Sequence, residues 1–130
     1  PNIQLYKIQK AYLWNQTEDC CQWHGVTCNE GRVIALDLSE ESISGGLVKS
    51  SSLFSLQCLQ SLNLALNNLS SVIPSELYKL NNLSYLNLSN AGFEGKIPVE
   101  IFHLRRLVTL DLSSSFTSSH RLKLEKPDIA

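Results

Sequence analysis

Cys20, Cys21, His24 and Cys28 fall within nine residues, and three thiolates with one imidazole form a donor set that tetrahedral zinc accepts. Their spacing argues against a metal site. Adjacent cysteines rarely share one ion, and structural zinc sites come as two separated pairs. The remaining cysteine, Cys58, directly precedes Leu59 and reads as a buried free thiol rather than a redox group. His24, His103 and His120 stand in unrelated contexts, with no nucleophile beside a base and no glycine-rich phosphate loop. Catalysis and a cofactor therefore find no support. A second kind of chemistry is modification: Asn15, Asn68, Asn82 and Asn87 each open an N-x-S/T sequon, at Asn15-Gln16-Thr17, Asn68-Leu69-Ser70, Asn82-Leu83-Ser84 and Asn87-Leu88-Ser89. Four sequons in 130 residues, beside a cysteine-bearing N-terminal segment, point to the secretory route.

The bulk composition narrows the classes further. A hydrophobic content of 43% with 18% charged residues is that of a foldable globular chain. The net charge of -1 gives no field favouring nucleic acid or anionic lipid, and the dense basic stretch is confined to His103, Arg105 and Arg106. No apolar run approaches the roughly 20 residues needed to cross a bilayer. A chain that contains no methionine and opens at Pro1 reads as a fragment or a processed form.

The elements that position these residues repeat. Aliphatic residues spaced L-x-x-L-x-L recur four times: Val33, Leu36, Leu38; Leu59, Leu62, Leu64; Leu83, Leu86, Leu88; Leu107, Leu110, Leu112. The blocks begin at 33, 59, 83 and 107, a period of 26 and then 24 twice, which lies within the span of leucine-rich repeats. Ile43, Leu69 and Phe93 keep the same register, as do Leu53, Leu77 and Ile101 and then Leu56, Leu80 and Leu104. The L-x-L alternation predicts a short strand with its leucines inward, and the later apolar positions predict a short helical segment that closes each coil. One coil cannot bury its own leucines, whereas stacking stabilises each by about 1.5–3 kcal/mol.

The expected fold is an α/β repeat: a right-handed solenoid with a parallel concave sheet near residues 34–38, 60–64, 84–88 and 108–112. Residues between the leucines then face outward in rows across the coils. These rows are Ala35, Ser61, Tyr85, Thr109; Asp37, Asn63, Asn87, Asp111; and Ser39, Ala65, Ser89, Ser113. Asp37, Asn63, Tyr85, Asn87 and Asp111 are the candidate ligand-contacting residues, and Tyr85 is the single large amphipathic group among the rows. The asparagine expected at the ninth repeat position is Glu41, Asn67, Ala91 and Ser115 in turn, so an unbroken asparagine ladder cannot form.

Two further motifs carry a resemblance. Leu69-Ser70-Ser71-Val72-Ile73-Pro74 and Phe93-Glu94-Gly95-Lys96-Ile97-Pro98 resemble the L-x-G-x-I-P signature of plant extracellular leucine-rich repeats. Trp14, Asp19-Cys20-Cys21, Trp23, Gly25-Val26 and Cys28 resemble the plant N-terminal cap W…D-C-C-x-W-x-G-V-x-C. Together they are similar to plant receptor-like proteins, receptor-like kinases and polygalacturonase-inhibitor-like proteins. Glu41-Ser42-Ile43-Ser44-Gly45-Gly46 and Leu122-Lys123-Leu124-Glu125-Lys126-Pro127 most resemble the disease-resistance group, including the Verticillium-resistance type. The resemblance implies a disulfide between Cys21 and Cys28, with Cys20 left without the upstream partner that such caps carry. Such a loop adds about 2–3 kcal/mol by constraining the unfolded chain. It also implies that Trp14 and Trp23 pack the cap over the first coil.

The expected organisation is an incomplete cap over residues 1–32, about three and a half repeats over 33–116, and a loop insertion or degraded repeat over 117–130. The expected function is an extracellular recognition module in the apoplast, the ectodomain of a plasma-membrane protein in defence or signalling. Its partners would be a protein, peptide or glycan ligand and a co-receptor, with no nucleic acid and no membrane contact by this segment. N-terminal coils often serve as scaffold, so the segment alone is expected to bind weakly. Competing readings are a secreted inhibitor of the polygalacturonase-inhibitor type, a truncated gene product without its own function, and a zinc-containing intracellular adaptor.

Overall fold

The computed structural model describes residues 19–44, 52–114 and the short strand at 122–123. Trp14, Asn15 and the greater part of the 117–130 segment lie outside them. Five strands form one sheet in the order β1 (Val26–Asn29), β2 (Arg32–Asp37), β3 (Ser61–Asn63), β4 (Tyr85–Asn87) and β6 (Thr109–Asp111). β1 and β2 pair antiparallel, and every later pair is parallel. The leucine spacing sets the register: Leu36, Leu62, Leu86 and Leu110 stand in one row, flanked by the rows that begin at Ala35 and Asp37. The strands are shorter than the alternation predicted. The three strands of the later coils span three residues each, because the chain leaves the ladder after Asn63, Asn87 and Asp111.

The turn after the strand recurs with one backbone conformation. Glu40, Leu66 and Asn90 have φ of 54°, 59° and 49°, in the left-handed region. Each sends its N–H across to the next coil, to Ala65 O, Ser89 O and Ser113 O at 3.0 Å. The far side of each coil is closed by 3₁₀ turns at Ser52–Ser55, Ser75–Lys79 and Val99–His103. Pro74 and Pro98 cap the last two with φ of -70° and -64°, the value the pyrrolidine ring imposes, so the Ile-Pro steps start the closing turn. A second, minor sheet pairs β5 (Gly95–Lys96) with β7 (Leu122–Lys123) in parallel. Leu122 lies 27 residues beyond its partner Gly95, against 24 between neighbouring concave strands of the later coils.

The core is the stack of inward leucines. Leu59, Leu62, Leu64, Leu83 and Leu86 are fully buried, and Ile43, Leu53, Leu69, Leu77, Leu80 and Ile101 fill the other side of each coil. In the fourth coil Leu107, Leu110 and Leu112 are only partly buried. No helix among the described residues is long and apolar enough to cross a membrane.

Candidate functional site

At the N-terminal end the structure joins Cys21 to Cys28 by a disulfide. Asp19 caps the short 3₁₀ turn Cys20–Gln22 through the N–H of Cys21, which places Cys20 and Trp23 in the core and sends β1 back along β2. Gly25 makes the junction. Its φ is +84°, and an added Cβ would meet Asp37 O, the nearest backbone atom, well inside contact distance. In return Asp37 N–H donates to Gly25 O at 2.7 Å. Asp19, Cys20 and Cys21 bring ligand atoms within 4.8 Å of one another, but the Cys21 and Cys28 sulfurs are bonded to each other and unavailable as thiolates. Cys20 is a buried free thiol. Cys58 corrects the expectation of burial: it is half-buried, because it sits in the turn before β3, where Arg32 Nη1 donates to its sulfur at 3.7 Å.

The concave face holds two of the predicted rows in register. Asp37, Asn63, Asn87 and Asp111 do one job in four successive coils: each Oδ1 accepts the backbone N–H two residues on, from Ser39, Ala65, Ser89 and Ser113, at 2.9–3.0 Å. These N–H groups fall where the strand has ended and point away from the ladder, so a short acceptor side chain satisfies them. The row read as ligand-contacting therefore also terminates the strands. Asn87 Nδ2 donates to Tyr85 Oη at 3.1 Å, laying the tyrosine along its neighbour. Asp111 has its carboxyl held below the usual carboxylate range, first by the N–H of Ser113 and then by its hydroxyl, against a small opposing effect of burial.

The third row departs from expectation. Ala65 and Ser89 are buried, whereas Ser113 is exposed and Ser39 half-exposed. Alternation requires an extended strand, and these residues lie beyond strand ends already turning. Of the described sequons, Asn68 is exposed, while Asn82 and Asn87 are half-buried and hydrogen-bonded.

Behind the concave face, the ninth repeat position behaves differently in each coil. Asn67 Nδ2 donates to Leu38 O, Leu64 O and Ala65 O at 2.9, 2.9 and 3.2 Å. Its Oδ1 accepts from Glu41 N and Ile43 N at 3.2 and 2.9 Å, so one side chain rivets two coils. Glu41 occupies the same place one coil earlier. It is 7% exposed, and its Oε2 is buried without a hydrogen-bond partner among the described residues.

The stacked coils, the inward leucine rows and the disulfide-closed cap define the class of this protein: a leucine-rich-repeat solenoid. The Leucine Rich Repeat family model matches residues 58–80 and 82–104, the second and third coils. Within that class the chain is similar to plant receptor-like proteins. It is 48% identical over 77 residues to Receptor-like protein 6 of Arabidopsis thaliana, an alignment covering 57% of this chain and 8% of that protein. The chain thus spans less than a tenth of the curated relatives it matches. Among solved structures, it superimposes on the BIR2 ectodomain from Arabidopsis thaliana with a TM-score of 0.76 at 31% identity, covering 91% of this chain and 62% of that one. It also matches the ectodomain of the Arabidopsis receptor kinase HAESA, solved with an N-terminally extended IDA peptide hormone ligand, with a TM-score of 0.66 at 30% identity over 80% of this chain and 16% of that one.

Proposed function

We propose that the chain is a segment of an extracellular recognition module of a plant receptor-like protein, acting in the apoplast in defence or signalling. The observation that carries this reading is the concave sheet, whose outward residues stand in two ordered rows across four coils, polar at every position but Ala35. A rigid, regularly spaced polar face suits recognition of an extended protein, peptide or glycan. The similarity to receptor-like proteins, and to a receptor kinase ectodomain solved with a peptide hormone, supports the same direction. Within this segment the face is chiefly scaffold. Its side chains are small, Asp37, Asn63, Asn87 and Asp111 each hold backbone N–H groups, and Tyr85 is the single large anchor of the kind that dominates interface energetics.

The test is location followed by binding. The full gene product, fused to a fluorescent protein and expressed in leaf cells, is expected at the cell boundary with endoglycosidase-sensitive mobility. Cytosolic fluorescence without glycans would refute the extracellular reading. Against a microbial peptide or wall glycan that the full ectodomain binds, the 130-residue chain should bind at least about tenfold more weakly. Equal affinity, lost on Tyr85→Ala, would place the binding site in this segment instead.

A further inference from the structure

The basic run His103, Arg105 and Arg106 plays no part in the leucine core or the concave face. In the fold it meets residues of the preceding coil. The loops that follow the 3₁₀ turns Ser75–Lys79 and Val99–His103 lie side by side and enclose an open cleft of about 430 Å3, lined among others by Tyr78, Lys79, Asn82, His103, Arg105 and Arg106. Among the described residues no carboxylate lines it, in a chain whose net charge is -1. Arg106 is held in place: its Nη1 donates to Asn82 Oδ1 at 2.7 Å, and Asn82 Nδ2 donates to Gln57 O at 2.7 Å. This links the loops of three successive coils. A guanidinium carries five N–H donors in a planar fork that matches a carboxylate, so donors remain beyond the bond to Asn82. Tyr78, 49% exposed, presents an aromatic ring at the same cleft.

We propose that this cleft is a binding site for a carboxylated oligosaccharide, a run of uronate sugars. Guanidinium and ammonium groups pair with the uronate carboxylates, and the ring of Tyr78 stacks against the apolar face of one sugar. An acidic peptide is the weaker fit. Its carboxylates could pair with the same cations, but an acidic side chain offers no flat apolar face for the Tyr78 ring to stack on. The site is separate from the concave face and stands whether or not that face binds a ligand. A glycan on Asn82 would occlude it, which couples the sequon to the site.

The test uses the whole chain and the variant Ser84→Ala, which abolishes the Asn82 sequon and keeps the amide that holds Arg106. Titration with a linear oligogalacturonate should show binding by the Ser84→Ala protein that weakens as salt rises. On that background Arg105→Glu with Arg106→Glu should weaken binding at least about tenfold, and Arg32→Glu, the same change of charge at the cap end, less than about twofold. Tyr78→Ala should weaken oligogalacturonate binding about three- to tenfold and leave any binding of poly-aspartate unchanged. Equal binding of the fully methyl-esterified oligosaccharide would overturn the proposal. So would indifference to the double charge reversal, or poly-aspartate bound as tightly as oligogalacturonate with no effect of Tyr78→Ala on either.

Discussion

Asn67 and Glu41 occupy one place in successive coils, and they show how far a repeat tolerates the wrong residue. The asparagine amide both donates and accepts, so it bonds the carbonyls of its own turn and of the preceding coil while taking two N–H groups in return. A glutamate side chain has no amide N–H donors to offer. In the first coil Glu41 is buried with one oxygen unpartnered among the described residues, although the strand register and the inward leucines match those of the second. The leucine stack therefore sets the shape of the coil. The ninth position only adjusts how tightly neighbouring coils hold.

Four substitutions or conditions sharpen this comparison. Asn67→Ala should cost the most, about 3 kcal/mol, because it strands N–H and carbonyl groups of two coils in a partly buried site. Urea unfolding followed by circular dichroism measures it, and a loss below about 1 kcal/mol would mean that the rivet is dispensable. Cys21→Ser should cost about 2–3 kcal/mol by releasing the cap loop. If the cost were nil, Gly25 and Trp23 alone would hold the cap. Glu41→Asn should stabilise by about 1–2 kcal/mol by replacing a buried orphan acceptor with an amide. A destabilisation would show that the glutamate is satisfied in solution.

The smallest effect is acid dependence. Asp111 titrates below the unfolded value near 3.9, so its contribution is complete above that pH and fades as pH falls through the lower folded value. Asp111→Asn keeps the acceptor for the N–H of Ser113, as Asn87 does one coil earlier. The variant should lose less stability than the parent in thermal scans below about pH 4. Parallel curves for the two proteins would show that this bond does not depend on charge.

The spacing of leucines was enough to place the coils, because burial of a periodic apolar set admits one register. Val33 to Leu38 and Leu59 to Leu64 fall inside with no exception among the pattern positions. Harder to read was what side chains do at strand ends. Asp37 and its three equivalents look like ligand contacts when only their outward direction is known, and their bond to the second residue onward depends on where the strand stops. A signal was present, an Asx residue at each strand end followed two positions later by a small residue, at Ser39, Ala65, Ser89 and Ser113. Ala65 and Ser89 were misplaced for the same reason. The basic cleft was half legible: the run at His103, Arg105 and Arg106 is visible in the chain, but Tyr78 and Lys79 reach it only because coils stack at a 24-residue pitch.

A chain of near-identical coils has no natural origin, since sliding by one period returns almost the same contacts. The cap supplies the origin. β1 is antiparallel in a sheet that is otherwise parallel, and Gly25 fits against Asp37 with no room for a side chain. The rows at Asn63, Asn87 and Asp111 sit behind Leu and Asx neighbours like those of Asp37, yet none of these coils has a Gly25 and a Cys21–Cys28 loop just upstream. The first strand is thus the zero mark of a ruler. Every later coil is counted from it, and a side chain at Gly25 would meet Asp37 O and push the zero mark itself out of place.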